Sequence, residues 1–359
     1  MGAMIAAILA IAALASPTWY KGNTHAHTQL CGHADSTPAA VAQWYLEHGY
    51  HFLVLSEHNQ FIDPRTVVLP DPRRPDFILI PGEEVTGPRS VHLTALNSHS
   101  VVPWDCDEAE LSALLQHHTD QILGQGGEPI LNHPNFGDAV GAADLEPVER
   151  LHFLELYNGH PATHSFGSAR RPSTEQLWDE LLTHGLVVYA VSADDAHTLK
   201  QWGEHESNPG RGWCMVRASE LTADAIVRAM RAADFYASSG VILGALEVDH
   251  QHYRIAVDEA ATARELSSPI VHGRRIDNAA AGWRIEFIGM GGAVIAVHAA
   301  TSASQPLVAG SGYVRARISF TRHSGEQWEQ FYAWTQPAFT DGRVARVHDA
   351  DAAWRAEHR

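Results

Sequence analysis

Phe52-Leu53-Val54-Leu55-Ser56-Glu57-His58-Asn59 runs from four consecutive apolar residues straight into a carboxylate and an imidazole. An unbroken apolar run this short reads as a strand buried on both faces, the habit of parallel sheets. The same grammar recurs along the chain. Residues 77–80 lead into Pro81-Gly82-Glu83-Glu84, 129–131 into Asn132-His133-Pro134, and 186–191 into Ser192-Ala193-Asp194-Asp195-Ala196-His197. A first strand closes in Thr24-His25-Ala26-His27-Thr28. Further strands are read at 91–96, 153–157 and 213–216, with helical patterns at 38–48, 108–123, 173–184 and 221–233. Strands alternating with helices over 18–239 predict an α/β architecture, either a doubly covered parallel sheet or an α/β barrel. In both, chemistry gathers at the carboxyl ends of the strands, where five of these runs deliver ionisable side chains.

Beyond Gly240 the texture changes to strand-like segments at 246–257, 283–288, 293–297, 313–319 and 330–334, with no clear helix. That predicts a small all-β, sandwich-like domain over 241–345 after an α/β domain over 17–240, and a polar tail over 346–359. Residues 3–15 form an apolar run too short to span a bilayer, so residues 1–16 read as a signal peptide and the protein as exported, periplasmic or secreted. No later run is long enough for a membrane span. Lys+Arg is 25 against Asp+Glu 42, a net charge of −17 over 359 residues. Such a chain repels phosphate backbones, which excludes a nucleic-acid partner held by a basic face. Three cysteines, Cys31, Cys106 and Cys214, are too few for a disulfide scaffold; Cys31, inside a histidine-rich loop, reads as a buried inert thiol, with contact to metal as the alternative.

The 24 histidines are the outlier. Residues two apart on a strand share a face, so His25 and His27 can chelate one ion. Burying several imidazoles and carboxylates around one point is costly unless a cation compensates them, so the joint pattern points to a metal cluster. Mixed N and O donors favour zinc, manganese or iron.

Seven ordered motifs resemble the polymerase-and-histidinol-phosphatase (PHP) domain. They are the His-x-His-Thr opening; the loop Cys31-Gly32-His33-Ala34-Asp35-Ser36-Thr37-Pro38; Ser56-Glu57-His58-Asn59; Pro81-Gly82-Glu83-Glu84-Val85-Thr86; Ser90-Val91-His92-Leu93; Asn132-His133-Pro134; and Asp195-Ala196-His197. Glu155-Leu156-Tyr157-Asn158-Gly159 and Ala333-Trp334-Thr335-Gln336-Pro337 look most like the exported, carbaryl-hydrolase-like branch. The resemblance implies a distorted, seven-stranded α/β barrel holding two or three divalent ions. Their ligands would be His25, His27, His33, His58, Glu84, His92, His133, Asp195 and His197. By position in the motifs, His33 is preferred to Asp35 and Glu84 to Glu83. Glu57 stands where many members carry Asp.

A water between two such ions becomes a nucleophile near neutral pH, and the second ion neutralises a substrate oxygen. The expected activity is hydrolysis of a small phosphomonoester or phosphodiester by a metal-bridging hydroxide. Arg170, Arg171 and Lys200 are candidates for holding phosphate oxygens, and His160 and His164 for protonating the leaving group. A carboxyl-ester or carbamate hydrolase using the same centre is the alternative, and a non-catalytic exported metal- or ligand-binding protein is the next. Amidohydrolase barrels also open with His-x-His, but many bridge their metals with a carboxylated lysine from a middle strand. Here Lys21 precedes the first motif and Lys200 follows the last.

Overall fold

The computed structural model describes residues 17–69, 76–277, 280–325 and 327–358. The apolar run at 3–15, read above as an export signal, lies outside the described residues. Among those described, no helix is long and apolar enough to cross a membrane.

The first part of the chain alternates strands and helices, as the apolar runs predict. The strands are β1 (Thr18–Asn23), β2 (Phe52–Val54), β3 (Ile78–Ile80), β4 (Glu84–Thr86), β5 (His92–Leu96), β6 (Glu128–Leu131), β7 (Phe153–Asn158), β8 (Tyr189–Ala193), β9 (Trp213–Ala218) and β10 (Phe235–Ser238). Between them run α1 (Pro38–Glu47), α2 (Leu111–Gly124), α3 (Ala142–Leu145), α4 (Thr174–Thr183) and α5 (Ala223–Arg231). Local chemistry fixes the helix starts. Thr37 caps α1 by accepting from the Ala40 N–H, with Pro38 in the first turn; Ser173 and Gln176 form a capping box on α4; and Thr222 caps α5.

Strands β1, β2 and β3 are parallel, as are β6, β7 and β8. Strands β4 and β5 run antiparallel, as does β9 against β1. The all-parallel sheet expected from sequence is therefore mixed. Buried apolar runs report burial on both faces but not the direction of the neighbour. The two parallel triplets belong to separate sheets, one of five strands in the order β4-β5-β6-β7-β8 and one of eleven. Isolated bridges, Ala26 to Ala196 and His58 to Glu84, join them at the strand ends. Among the described residues hydrogen bonding closes no barrel, and the architecture is mixed α/β.

The later part adds β11 (Leu243–Val248), β12 (His252–Val257), α6 (Glu259–Glu265), β13 (Arg274–Ile276), β14 (Gly282–Gly289), β15 (Ala293–His298), β16 (Ser302–Pro306), β17 (Tyr313–Ser324), β18 (Gln327–Thr335), β19 (Ala338–Phe339) and α7 (Arg343–Glu357). A three-stranded sheet, β11-β12-β16, packs on β14, β17 and β18, with Tyr253 and Ile255 facing Phe287, Ile318 and Phe331. Two features differ from the sequence reading. Helices α6 and α7 occur where no helix was expected, α7 replacing most of the polar tail. Strand β18 pairs with β10, so one sheet runs from the α/β part into the β part in the order β15-β14-β17-β18-β10-β9-β1-β2-β3. Helix α7 docks through charge more than through an apolar stripe: Asp351 meets His152 at 2.7 Å and Arg355 meets Glu128 at 3.0 Å. A hydrophobic-period reading is blind to such a helix.

Candidate metal centre

The ionisable side chains that sequence places at strand ends converge. His25 and His27 follow β1 and point the same way, their Nε2 atoms 3.0 Å apart. Glu84, opening β4, lies at the middle. Its carboxylate is 3.3 Å from His25 Nε2, 3.3 Å from His27 Nε2, 2.8 Å from His58 Nδ1, 3.1 Å from His92 Nδ1 and 3.2 Å from His133 Nε2. Asp195, just past β8, stands 3.3 Å from His25 Nε2 and 3.4 Å from His27 Nε2. His197 stacks on His27 with ring centroids 4.2 Å apart, and its Nε2 is 3.0 Å from His33 Nε2. All nine residues expected as ligands thus belong to one connected cluster. Groups such as His27, His58 and His197, or His25, His133 and Asp195, each place their donor atoms within 4.8 Å of one another.

The neighbours of the two open choices have other tasks. Asp35 accepts from the Leu199 and Lys200 backbone N–H groups at 3.0 and 2.8 Å, pinning the loop that carries His33. Glu83 points away, toward the Val102 N–H. Glu57 accepts from the Thr28 N–H at 2.6 Å through one oxygen, and its other oxygen is 3.9 Å from His27 Nδ1. Lys21 pairs with Glu265 at 2.5 Å, between Tyr50 and Trp213, outside the cluster. Among the candidate substrate groups, His160 reaches the cluster, its ring centroid 5.7 Å from that of His197. Arg171 engages Asp138 instead, and Arg170, Lys200 and His164 are exposed.

Three residues not expected as site residues support the cluster. Glu155 faces His25 Nδ1 at 2.8 Å and accepts from the His133 backbone N–H at 2.9 Å. Asn132 donates to Glu84 at 2.8 Å, and Asn158 donates to Asp195 at 3.2 Å. The signal for Glu155 was available: a carboxylate amid the apolar β7 must have a partner. Asp195 and His133 hold positive φ, 50° and 22°, unusual for non-glycine residues and frequent where function fixes the backbone.

Charge shows what the cluster would hold. Burial opposes the imidazolium of His25, yet Asp195, Glu84 and Glu155 together hold it well above the ordinary histidine range. His27 and His133 are also raised against burial, His27 mainly by Asp195 and His133 mainly by Glu84. Against their own burial, Glu84 and Asp195 are pulled well below the carboxylate range, foremost by His25. His197 goes the other way, pushed down to about 3 by burial and by the neighbouring His27. Buried carboxylates here demand positive charge, which in the free protein comes as protons on imidazole. Buried polar atoms also lack hydrogen-bond partners: His27 Nδ1, His133 Nδ1 and Glu57 Oε2. A donor set of imidazole nitrogens and carboxylate oxygens with unmet hydrogen bonds fits a divalent metal ion.

No protein-family model matches this chain, and no curated protein matches it. Among solved structures, it is similar to a two-domain protein from Bacteroides vulgatus containing a predicted PHP-like metal-dependent phosphoesterase. The identity is 13%, the TM-score 0.46, and the match covers 93% of this chain and 100% of that one.

Proposed function

We propose that the chain is a metal-dependent hydrolase of the PHP type, an exported phosphoesterase acting on a small phosphomonoester or phosphodiester. The observation that carries the reading is Glu84, one buried carboxylate facing five imidazoles from four segments of the chain, with Asp195 beside it. Two or three ions would be held by His25, His27, His33, His58, Glu84, His92, His133, Asp195 and His197. When bound, they supply Lewis-acid polarisation of the ester and activation of water near neutral pH.

The chain's own residues do the rest. Glu155 and Asn132 orient His25 and Glu84, so the donors are set before any ligand arrives. His160 is held neutral by burial, and its Nδ1 accepts from the Ala162 N–H at 3.2 Å. Its proton therefore sits on Nε2, where it can hydrogen-bond to a leaving oxygen beside His197 and steady the charge that develops there. Arg170, Arg171 and Lys200 lie outside the cluster's contacts, so their proposed role is confined to holding substrate, which would register as a raised KM at unchanged metal content.

The test is turnover of para-nitrophenyl phosphate, bis-para-nitrophenyl phosphate and para-nitrophenyl acetate by purified protein, before and after chelation and with metal restored. Phosphoester cleavage lost on chelation and regained with metal is the expected result. Turnover of acetate alone would replace the phosphoesterase with the ester or carbamate hydrolase. Tight metal binding with no cleavage would leave a binding protein.

A further inference from the structure

One side chain of the centre belongs to none of the motifs' expected ligands. Residues 29–31 form a short turn, started by Thr28 Oγ1 accepting from the Leu30 N–H at 3.3 Å and ended by Gly32 at φ 84°. Asp35 clamps the loop onto the 195–200 segment, its own N–H donating to the His197 carbonyl at 3.0 Å. The result brings Cys31 into the cluster. Its sulfur and one donor atom each from His33 and His197 lie within 4.8 Å of one another. His33 Nδ1 is 3.2 Å from the Cys31 carbonyl, which leaves the Nε2 that meets His197 at 3.0 Å. A second observation points to the same place. His27 and Glu57 are fully buried, His27 Nδ1 and Glu57 Oε2 have no hydrogen-bond partner, and one donor atom of each residue lies with the Cys31 sulfur inside a 4.8 Å group. The Cys31 thiol is free and half-buried.

We propose that Cys31 is a thiolate ligand that makes the His33–His197 end of the centre selective for a thiophilic divalent ion, zinc above manganese. This rests on the metal-dependent reading above. The end built around Glu84 and Asp195 offers nitrogen and oxygen only, a set that manganese, iron and zinc all accept. A sulfur donor changes the preference at its own end, because thiolate is soft and manganese favours oxygen. Zinc binds sulfur at about 2.3 Å and imidazole nitrogen at about 2.0–2.1 Å, which sets sulfur and nitrogen donors of a tetrahedral site about 3.5 Å apart, inside the 4.8 Å within which these three donors gather. On binding, the S–H bond breaks, the sulfur–metal bond forms, and the proton passes to solvent.

The test uses the full chain, stripped of metal and reloaded anaerobically with cobalt(II). The expected spectrum has visible ligand-field bands together with a near-ultraviolet sulfur-to-cobalt charge-transfer band. Cys31→Ser should lose the charge-transfer band, keep the visible bands, and retain one zinc equivalent fewer under excess manganese. Cys106→Ser should match wild type. Visible bands without the charge-transfer band in wild type, or a charge-transfer band that survives Cys31→Ser, would overturn the assignment of Cys31 and leave the centre standing. A wild-type protein that takes up no cobalt would overturn the functional reading itself. Should Cys31→Ser fail to fold, alkylation of wild type decides: Cys31 must be labelled by iodoacetamide in chelated protein and protected in zinc-loaded protein. Equal labelling rates in the two would refute the proposal.

Discussion

Asp195 carries a charge that its neighbours need and that an amide of the same shape cannot supply. Asp195→Asn keeps a carbonyl oxygen that can accept from the Asn158 amide, but it removes the anion that faces His25 and His27. Metal content should fall, and activity should drop by at least the roughly 10–100-fold that follows from disturbing even the support of a metal ligand. Elemental analysis beside a phosphoester assay checks both; a variant with wild-type metal and turnover would contradict the placement of Asp195. Glu83 is the contrasting carboxyl. It is fully buried, and desolvation lifts its pKa to about 7 although the Val102 N–H donates to it. A carboxyl whose folded pKa is raised binds its proton more tightly in the native state. It therefore subtracts stability progressively from about pH 4.5 to 7 and fully above. Glu83→Gln keeps the acceptor for Val102 and removes the charge. It should raise stability by roughly 1–3 kcal/mol at pH 8 and change little near pH 5, as read from denaturant midpoints. An equal effect at both pH values would show that desolvation of the ionised carboxylate is not the cause.

At the scale of elements, the helices and parallel strands of the first half were legible because each carries a local signal. Thr37-Pro38, Ser173 with Gln176, and Thr222 announce helix starts, and the unbroken apolar runs announce buried strands. The site was legible for the same reason, since its residues stand where those runs end. What sequence withheld is set by contacts far apart along the chain: the antiparallel direction of β9 against β1, the role of Glu155, and helix α7. Helix α7 starts at Gly342 without a capping side chain and docks through polar groups. One of these is sensitive to pH. Both ring nitrogens of His152 face acceptors, Nδ1 the Val187 carbonyl at 2.9 Å and Nε2 the Asp351 carboxylate at 2.7 Å. Both positions are satisfied only by the doubly protonated ring. Burial opposes that charge, but Asp351 raises the pKa above 6.5 all the same. A histidine with a raised folded pKa adds stability that is complete below its unfolded value and is lost as pH rises through the folded one. Amide exchange over 343–357, corrected for its intrinsic pH dependence, should accelerate as pH rises above the ordinary histidine range. His152→Gln should flatten that response while the Glu128–Arg355 pair persists. Protection that stays constant with pH in the wild type would show that this contact does not hold the helix.

For the whole molecule, the question is whether the α/β and β parts stand independently. Strand β10 hydrogen-bonds to β9 on one side and to β18 on the other, so removing the later chain exposes a central strand of one continuous sheet. A second tie is electrostatic. Arg315 on β17 is fully buried and meets both oxygens of Asp179 on α4, at 2.8 and 2.6 Å, and Glu175 at 2.9 Å; Tyr313 adds a hydroxyl donated to Asp179 at 2.9 Å. These charges offset one another only while the two parts remain in contact. Arg315→Met leaves Asp179 buried with a hydroxyl as its remaining partner across the junction, and should cost about 3–5 kcal/mol. Adding Asp179→Leu removes the stranded charge and should recover much of that loss, because replacing both partners of a buried pair by apolar groups is often close to neutral. The same coupling predicts one calorimetric transition for the intact chain, with calorimetric and van't Hoff enthalpies in agreement. Two resolved transitions, with Arg315→Met shifting only the later-chain one, would mean that the junction is a weak contact between self-sufficient domains. In that case a chain ending at residue 240 should fold and bind metal alone, which the continuous sheet argues it does not.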